Sequence, residues 1–258
     1  MKFKMLFAAT LFAITATTVF AKPDGLSKVK NSGILTVGVK DDVPGFGYMN
    51  PTTKQYEGLE IDIAKAIAKK LFNNETKVKF VPVTAKNRSA FLNQDRIDMV
   101  IATFTVTEDR KRSFDFSDVY YTDSVGFMVK KASGITSFKE LAGKTVGITQ
   151  GSMTENTIKK ASEKEGVTVH VASYPSNQTL KEALDRGEID AFGIDKAILH
   201  GYLDDSVTIL PERYDEMMYA IAIKKDNTAV TKYVNDIIKN LVKSGELDTM
   251  LEKNGLAN

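Results

Sequence analysis

Residues 97–121 read IDMVIATFTVTEDRKRSFDFSDVYY and contain a set of groups suited to gripping a carboxylate. An apolar run, Met99 to Ala102, gives way to the hydroxyls of Thr103, Thr105 and Thr107. Arg110 falls one turn into a helix that Thr107 is placed to cap. A guanidinium offers two parallel N–H donors to a carboxylate, and hydroxyls and main-chain N–H groups can take its remaining lone pairs. Taken alone, the same spacing describes a strand, a turn and a capped helix bearing a surface arginine.

The rest of the chain supplies the elements that must position these groups. Ile34 to Lys40 is a β-branched run suited to a buried parallel strand. A turn-rich loop follows, and then Leu59, Ile63, Ile67 and Leu71 recur at helical spacing. A strand over Val78 to Val83, a short helix over Asn87 to Asn93 and the strand Met99 to Ala102 complete a β-α-β-α-β unit. A second unit has strands Lys144–Thr149, Thr168–Val171 and Ala191–Ile194, and helices Met153–Glu163 and Asn177–Arg186. The lead-ins to the third strands echo one another, Asp95-Arg96-Ile97-Asp98 beside Gly187-Glu188-Ile189-Asp190. The pattern predicts an α/β protein of two similar lobes. Residues 22–33 read as a polar lead-in. The last forty residues, a strand and two helices, are too few to fold alone and must dock on a lobe, giving two crossings near 121–124 and 214–218 that act as a hinge.

Open parallel sheets bind ligands beyond the carboxyl ends of their strands. Lys40, Asp42, Phe46 and Tyr48 follow the first strand, Arg88 the second, and Thr103, Thr105 and Arg110 the third. In the second unit Gln150, Gly151, Ser152, Met153 and Thr154 follow the first strand, and Asp195 the third. Every one of these loops offers something polar that suits a small zwitterion. The turn at 150–154 opens a helix whose first N–H groups attract anions, although Ser152-x-x-Glu155 also reads as a capping box. Asp195 is placed either to receive an ammonium or to cap the helix Lys196–Tyr202.

Of 258 residues, 43% are hydrophobic and 26% charged, the composition of an ordinary globular chain. Lys2 and Lys4 precede an apolar stretch ending in Val19-Phe20-Ala21, which reads as a signal peptide (residues 1–21) cleaved after Ala21. The absence of cysteine excludes disulfides, thiolate metal sites, cysteine nucleophiles and a lipidated cysteine. Export without a lipid anchor points to a free periplasmic protein. Taking Lys2 and Lys4 from the 35 basic residues leaves 33, equal to the 33 acidic ones, so nucleic acid is not an expected partner. No metal cluster, nucleophile elbow or Gly-rich phosphate loop is evident, no cofactor is expected, and His170 and His200 fall away from the expected cleft.

Four stretches resemble the family 3 extracellular solute-binding proteins, periplasmic receptors of polar amino acid ABC transporters. They are ILTVGVKDDVPGFGY, YEGLEIDIAKAIAKKL, residues 97–121, and KTVGITQGS followed by IDAFGIDKAIL. The resemblance implies a type II periplasmic binding protein-like fold. Lobe 1 would be 22–122 plus 218–258 and lobe 2 would be 123–217, each a mostly parallel sheet flanked by helices, joined by a two-stranded hinge. It further implies that Arg110 and the backbone after Ser152 take an α-carboxylate, that Thr103 and Thr105 share the carboxylate and the amino group, and that Asp195 takes the amino group. Ser152, Met153 and Thr154 would form the second-lobe contact. Within the family GVK-x-DVP and Ala85-Lys86-Asn87-Arg88 resemble the aspartate/glutamate receptors, which would put Lys40 and Arg88 on a side-chain carboxylate. Gly45 and Gly151-Ser152-Met153 depart from that pattern.

Charge counting points the same way. Lys40, Arg88 and Arg110 against Asp195 leave +2, which an acidic amino acid lowers to +1, with Asp42 able to absorb the remainder. The expectation is therefore a monomeric receptor that captures aspartate or glutamate between closing lobes and delivers it to permease subunits in the inner membrane. The alternatives are a receptor for glutamine or another polar amino acid, and a cyclohexadienyl-type dehydratase on the same scaffold. N-terminal sequencing of the exported protein should begin near Lys22; an intact Met1 would refute the cleavage.

Overall fold

The computed structural model describes residues 25–257; the signal-peptide segment lies outside the described residues. The strands are β1 Leu35–Val39, β2 Asp42–Val43, β3 Gly47–Met49, β4 Tyr56–Glu57, β5 Val78–Pro82, β6 Met99–Val100, β7 Phe114–Lys130, β8 Thr145–Thr149, β9 His170–Tyr174, β10 Ala191–Asp195, β11 Val207–Ile209 and β12 Tyr214–Lys224. The α-helices are α1 Gly25–Ser32, α2 Leu59–Phe72, α3 Arg88–Asn93, α4 Glu108–Ser113, α5 Thr154–Glu165, α6 Asn177–Arg186, α7 Lys196–His200, α8 Thr228–Ser244 and α9 Glu246–Lys253.

The chain folds as two α/β lobes on one continuous sheet, ordered β5-β1-β6-β12-β7-β10-β8-β9, with β11 paired to β7. The parallel trio β5-β1-β6 lies on one side and the parallel trio β10-β8-β9 on the other. Between them run β7 and β12, an antiparallel pair from Tyr214 opposite Val125 to Lys224 opposite Phe114, with register shifts after Tyr214, Tyr219 and Ala220. In each trio the first strand in sequence lies between the second and the third, so the two β-α-β-α-β units share one topology. The echoed lead-ins have a matching structural role. Asp98 Oδ2 accepts from Thr36 N at 2.8 Å, and Asp190 Oδ2 accepts from Thr145 N at 2.8 Å. Each aspartate ties the start of its third strand to the start of its first.

Helix α2 buries Leu59, Ile61, Ile63, Ala64, Ile67 and Ala68, the face that the helical spacing implied, with Ile61 added and Leu71 only partly buried. The polar lead-in is in fact helical: α1 buries Val29 and packs on α8. Helix α8 buries Val230, Val234, Ile237, Ile238 and Leu241. It packs on α2 and β7, and α9 is tied to α2 by Lys253 Nζ at 2.9 Å from Asp62. The turn-rich loop after β1 contains a small antiparallel sheet, β2-β3-β4, that its glycines and prolines had masked.

That loop fixes the entry to α2. Leu59 N donates to Gly45 O and Glu60 N donates to Phe46 O, so loop carbonyls serve the helix N-terminus where no side chain caps it. The residue before the helix, Gly58, has φ +123°, and a Cβ there would lie 2.2 Å from Phe46 O. Only glycine fits a backbone that approaches another backbone this closely. Gly58→Ala should lower stability by about 3 kcal/mol or more, read as a drop in the urea midpoint at unchanged slope; an unaltered midpoint would contradict this account of the turn.

Candidate functional site

The carboxyl ends of both parallel trios face one small cavity, partly open to solvent. Lys40, Arg88, Thr103 and Thr105 line it from the first trio's loops, and Ser152, Met153 and Asp195 from the second. The structure thus brings together seven of the residues singled out above.

The centre of the first-lobe wall is a buried charge network. Arg88 is 3% exposed. It donates through Nη1 to the carbonyls of Ala102 and Thr103, and its guanidinium lies 4.2 Å from the Phe104 ring centroid. Burial pulls its pKa down to about 10, opposed chiefly by the carboxylate of Glu60. Glu60, wholly buried, accepts from Thr103 N at 2.5 Å and from the Tyr120 hydroxyl at 2.6 Å. Burial raises its pKa to about 6. Between these two side chains Thr103 adopts φ +44°, which is rare for a β-branched residue and needs such support. Spacing and residue type gave no sign of Glu60, because its sequence position reads as one more acidic residue in the first turn of a helix.

Arg110 is half-buried beside Thr105 and is not among the residues that line the cavity. Its guanidinium lies 4.4 Å from the same Phe104 ring and donates to Thr105 O at 2.7 Å and, at 3.5 Å, to Gly151 O of the second lobe. Burial and the neighbouring Arg88 lower its pKa to about 9, and Asp195 opposes them. Thr107 caps α4 as its position implied, accepting from Arg110 N at 3.2 Å. Gly151, at φ +84°, lies against the Ala85 carbonyl, 2.9 Å from where its Cβ would be, so its lack of a side chain lets the two lobes meet here.

Asp195 heads α7 but does not cap it; Asp123 Oδ2 accepts from Ala197 N at 2.8 Å instead. The Asp195 carboxylate accepts from the Tyr219 hydroxyl inside the cavity wall, and burial raises its pKa to about 7. The capping box at Ser152 does not form either. Met153 is the N-cap of α5, and Ser152 Oγ accepts only a 3.4 Å bond from Thr154 N. Thr154 is fully buried behind the wall with its hydroxyl unpartnered.

Lys40 and Asp42 form an ion pair at 2.8 Å, their side chains 3% and 11% exposed. Two residues that the sequence reading passed over join them on the second-lobe side. Thr149 and Asn177 line the cavity, and the Thr149 hydroxyl donates to Asn177 Oδ1. A threonine closing a strand and an asparagine opening a helix carry no signal until the fold sets them side by side. Phe46 lies elsewhere. It is fully buried, its ring centroid 5.1 Å from that of Tyr121 and 5.7 Å from that of Tyr219, so it serves the core between the lobes. Tyr48, on β3, also stays off the cavity wall. Among the described residues no group of three or more His, Cys, Asp or Glu could hold a metal ion.

With every group ionised, Lys40, Arg88 and Arg110 are balanced by Asp42, Glu60 and Asp195. The site can thus pair a carboxylate with a guanidinium and an ammonium with a carboxylate while remaining neutral.

The model of the bacterial extracellular solute-binding proteins, family 3, matches residues 35–257. The ABC transporter glutamine-binding protein GlnH of Bacillus subtilis is 35% identical over 236 residues, covering 90% of this chain and 85% of that protein. The glutamine-binding protein of Geobacillus stearothermophilus is 38% identical over 214 residues, covering 82% and 80%. The crystal structure of the cysteine-binding protein from Campylobacter jejuni superposes with a TM-score of 0.81 at 28% identity, covering 90% of this chain and 93% of that one. These relatives are named as binding proteins and not as enzymes, and this chain has their two-lobed periplasmic binding protein fold. The chain belongs to the bacterial extracellular solute-binding proteins, family 3.

Proposed function

We propose that this protein is the amino-acid-binding component of an ABC importer and that its ligand carries an uncharged polar side chain, with glutamine the best fit. The observation behind this reading is the charge balance of the cavity. Lys40, the cation that an acidic side chain would need, already has Asp42 at 2.8 Å, and Arg88 spends donors on the Ala102 and Thr103 carbonyls. A second carboxylate would enter a desolvated site whose three cations are already matched in number by Asp42, Glu60 and Asp195, which is costly. A neutral zwitterion leaves the balance intact. The charge balance that favours an acidic ligand from sequence uses Asp42 only for the charge left over and does not include Glu60. The names of the two glutamine-binding relatives support the same choice.

In this reading Arg110, Thr105 and the N-terminus of α5 receive the α-carboxylate, and Asp195 receives the α-ammonium. Thr103, Ser152 and Met153 shape the surroundings. Lobe 1, taken as 22–122 plus 218–258, binds first, and lobe 2, 123–217, closes about β7 and β12. Expulsion of water then strengthens each polar contact. A permease in the inner membrane reads the closed form, released into the periplasm by signal cleavage. Micromolar affinity requires about −8 kcal/mol, within reach of two or three charge-assisted hydrogen-bond sets.

Calorimetry should give tighter binding of L-glutamine than of L-glutamate, and Arg110→Ala should weaken glutamine roughly 10–100-fold, the cost of losing a charged hydrogen-bond partner. Tighter glutamate binding would overturn the ligand assignment. The pH dependence has a definite sign. Asp195 is largely protonated below its pKa of about 7 and must release that proton to hold an ammonium. Affinity should therefore fall roughly tenfold between about pH 8 and pH 6. Titrations at pH 6 in buffers of different ionisation enthalpy should report proton release on binding, and proton uptake would refute the role given to Asp195.

A further inference from the structure

Asp42 touches both lobes. It follows β1, and its Oδ1 lies 2.8 Å from Lys40 Nζ. Its Oδ2 accepts at 2.9 Å from the N–H of Asn177, the first residue of α6 in the other lobe. Its carbonyl accepts from the hydroxyl of Tyr202, just past α7. A carboxylate at a helix N-terminus is favourable in itself, but here the helix belongs to the opposite lobe, so the bond exists only while the lobes are together.

The two groups that Asp42 holds are both on the cavity wall. Asn177 is 2% exposed, and its side-chain oxygen is occupied by the Thr149 hydroxyl. That fixes the amide with its NH₂ turned away from Thr149, and among the described residues this NH₂ has no acceptor. Lys40 lies beside Asp42 Oδ1 as an ion pair without a hydrogen bond, so its N–H donors remain for a ligand. Two donors with a neutralised charge beside them are what a side-chain carbonyl oxygen requires.

We infer that Lys40 and Asn177, drawn from opposite lobes and held by Asp42, form the subsite for the ligand's side-chain amide, and that Asp42 is the residue that sets this subsite for an uncharged group. The inference rests on the proposed function and deepens it. Asp42 acts as a positioning residue: it cancels the charge of Lys40 and, through Asn177, makes the side-chain subsite complete only on closure. A ligand's side-chain length and charge are thereby read in the same step that brings the lobes together.

The test is calorimetric titration of the wild type, Asp42→Asn and Asn177→Ala with L-glutamine, L-glutamate and L-alanine at about pH 8, where Asp195 is ionised, with ligand-free melting as the folding check. Asp42→Asn uncovers the charge of Lys40, so the ratio of glutamate to glutamine affinity should rise tenfold or more, a change of direction that loosened packing does not produce. Asn177→Ala keeps the N–H that Asp42 accepts and removes only the side chain. It should cost glutamine tenfold or more while leaving L-alanine binding within about twofold. A folded Asp42→Asn with an unchanged ratio overturns the inference, and so does Asn177→Ala with unchanged preference for glutamine over L-alanine, which decides the matter if Asp42→Asn fails to fold. In both cases wild-type glutamine binding leaves the proposed function standing. A wild type that binds no amino acid removes that reading and the inference with it.

Discussion

Charge buried in a cleft has to be compensated, and most of the local structure around the cavity follows from that constraint. Isolating a guanidinium or carboxylate from water costs several kcal/mol unless partners replace the lost hydration. Arg88 and Glu60 meet this requirement together. The guanidinium lies on Phe104 and donates to two carbonyls, and the carboxylate takes the Thr103 N–H and the Tyr120 hydroxyl. The backbone between them is forced into a left-handed turn at Thr103 as a result. The cavity wall on this side is thus held by hydrogen bonds to both the N–H and the carbonyl of Thr103.

The second lobe contributes differently. Its groups, Ser152, Met153, Asn177 and Asp195, sit at helix starts or strand ends and reach the cavity only because β7 and β12 run unbroken through both lobes. Hydrogen bonds across the gap among the described residues join Asp42 with Asn177, the Asp42 carbonyl with Tyr202, and Arg110 with Gly151 at 3.5 Å. Such a seam lacks the apolar burial that makes an interface permanent. The apolar contact between lobes is concentrated at Phe46, Tyr121 and Tyr219, next to the crossing strands. Aromatic packing thus lies beside the crossing strands, and polar contacts lie at the mouth of the cavity.

Much of this was legible in the chain. Two β-α-β-α-β units follow from hydrophobic periodicity, because a parallel strand buried on both faces and an amphipathic helix each impose a period that local residues obey. The echo of Asp98 and Asp190 was visible as well, since equivalent strands place equivalent demands on their lead-ins. The set Lys40, Arg88, Thr103, Thr105 and Asp195 could be gathered from the rule that loops at strand carboxyl ends converge. Helix α1 and the small sheet β2-β3-β4 were missed because short elements rich in polar and turn residues depend on docking rather than on their own period.

Sequence by itself determined the architecture and the types of group available to a ligand, because both depend on residues close together along the chain. Tertiary structure alone decided how those charges are partnered. That Asp42 belongs to Lys40 and Asn177, that the charge of Glu60 acts on Arg88, and that Phe46 fills the core rather than the cavity depend on tertiary contacts, the one between Asp42 and Asn177 joining residues 135 positions apart. The net charge a ligand meets is a sum over such pairs. Each unrecognised carboxylate lowers it by one, and no local pattern records which carboxylate folds against which cation.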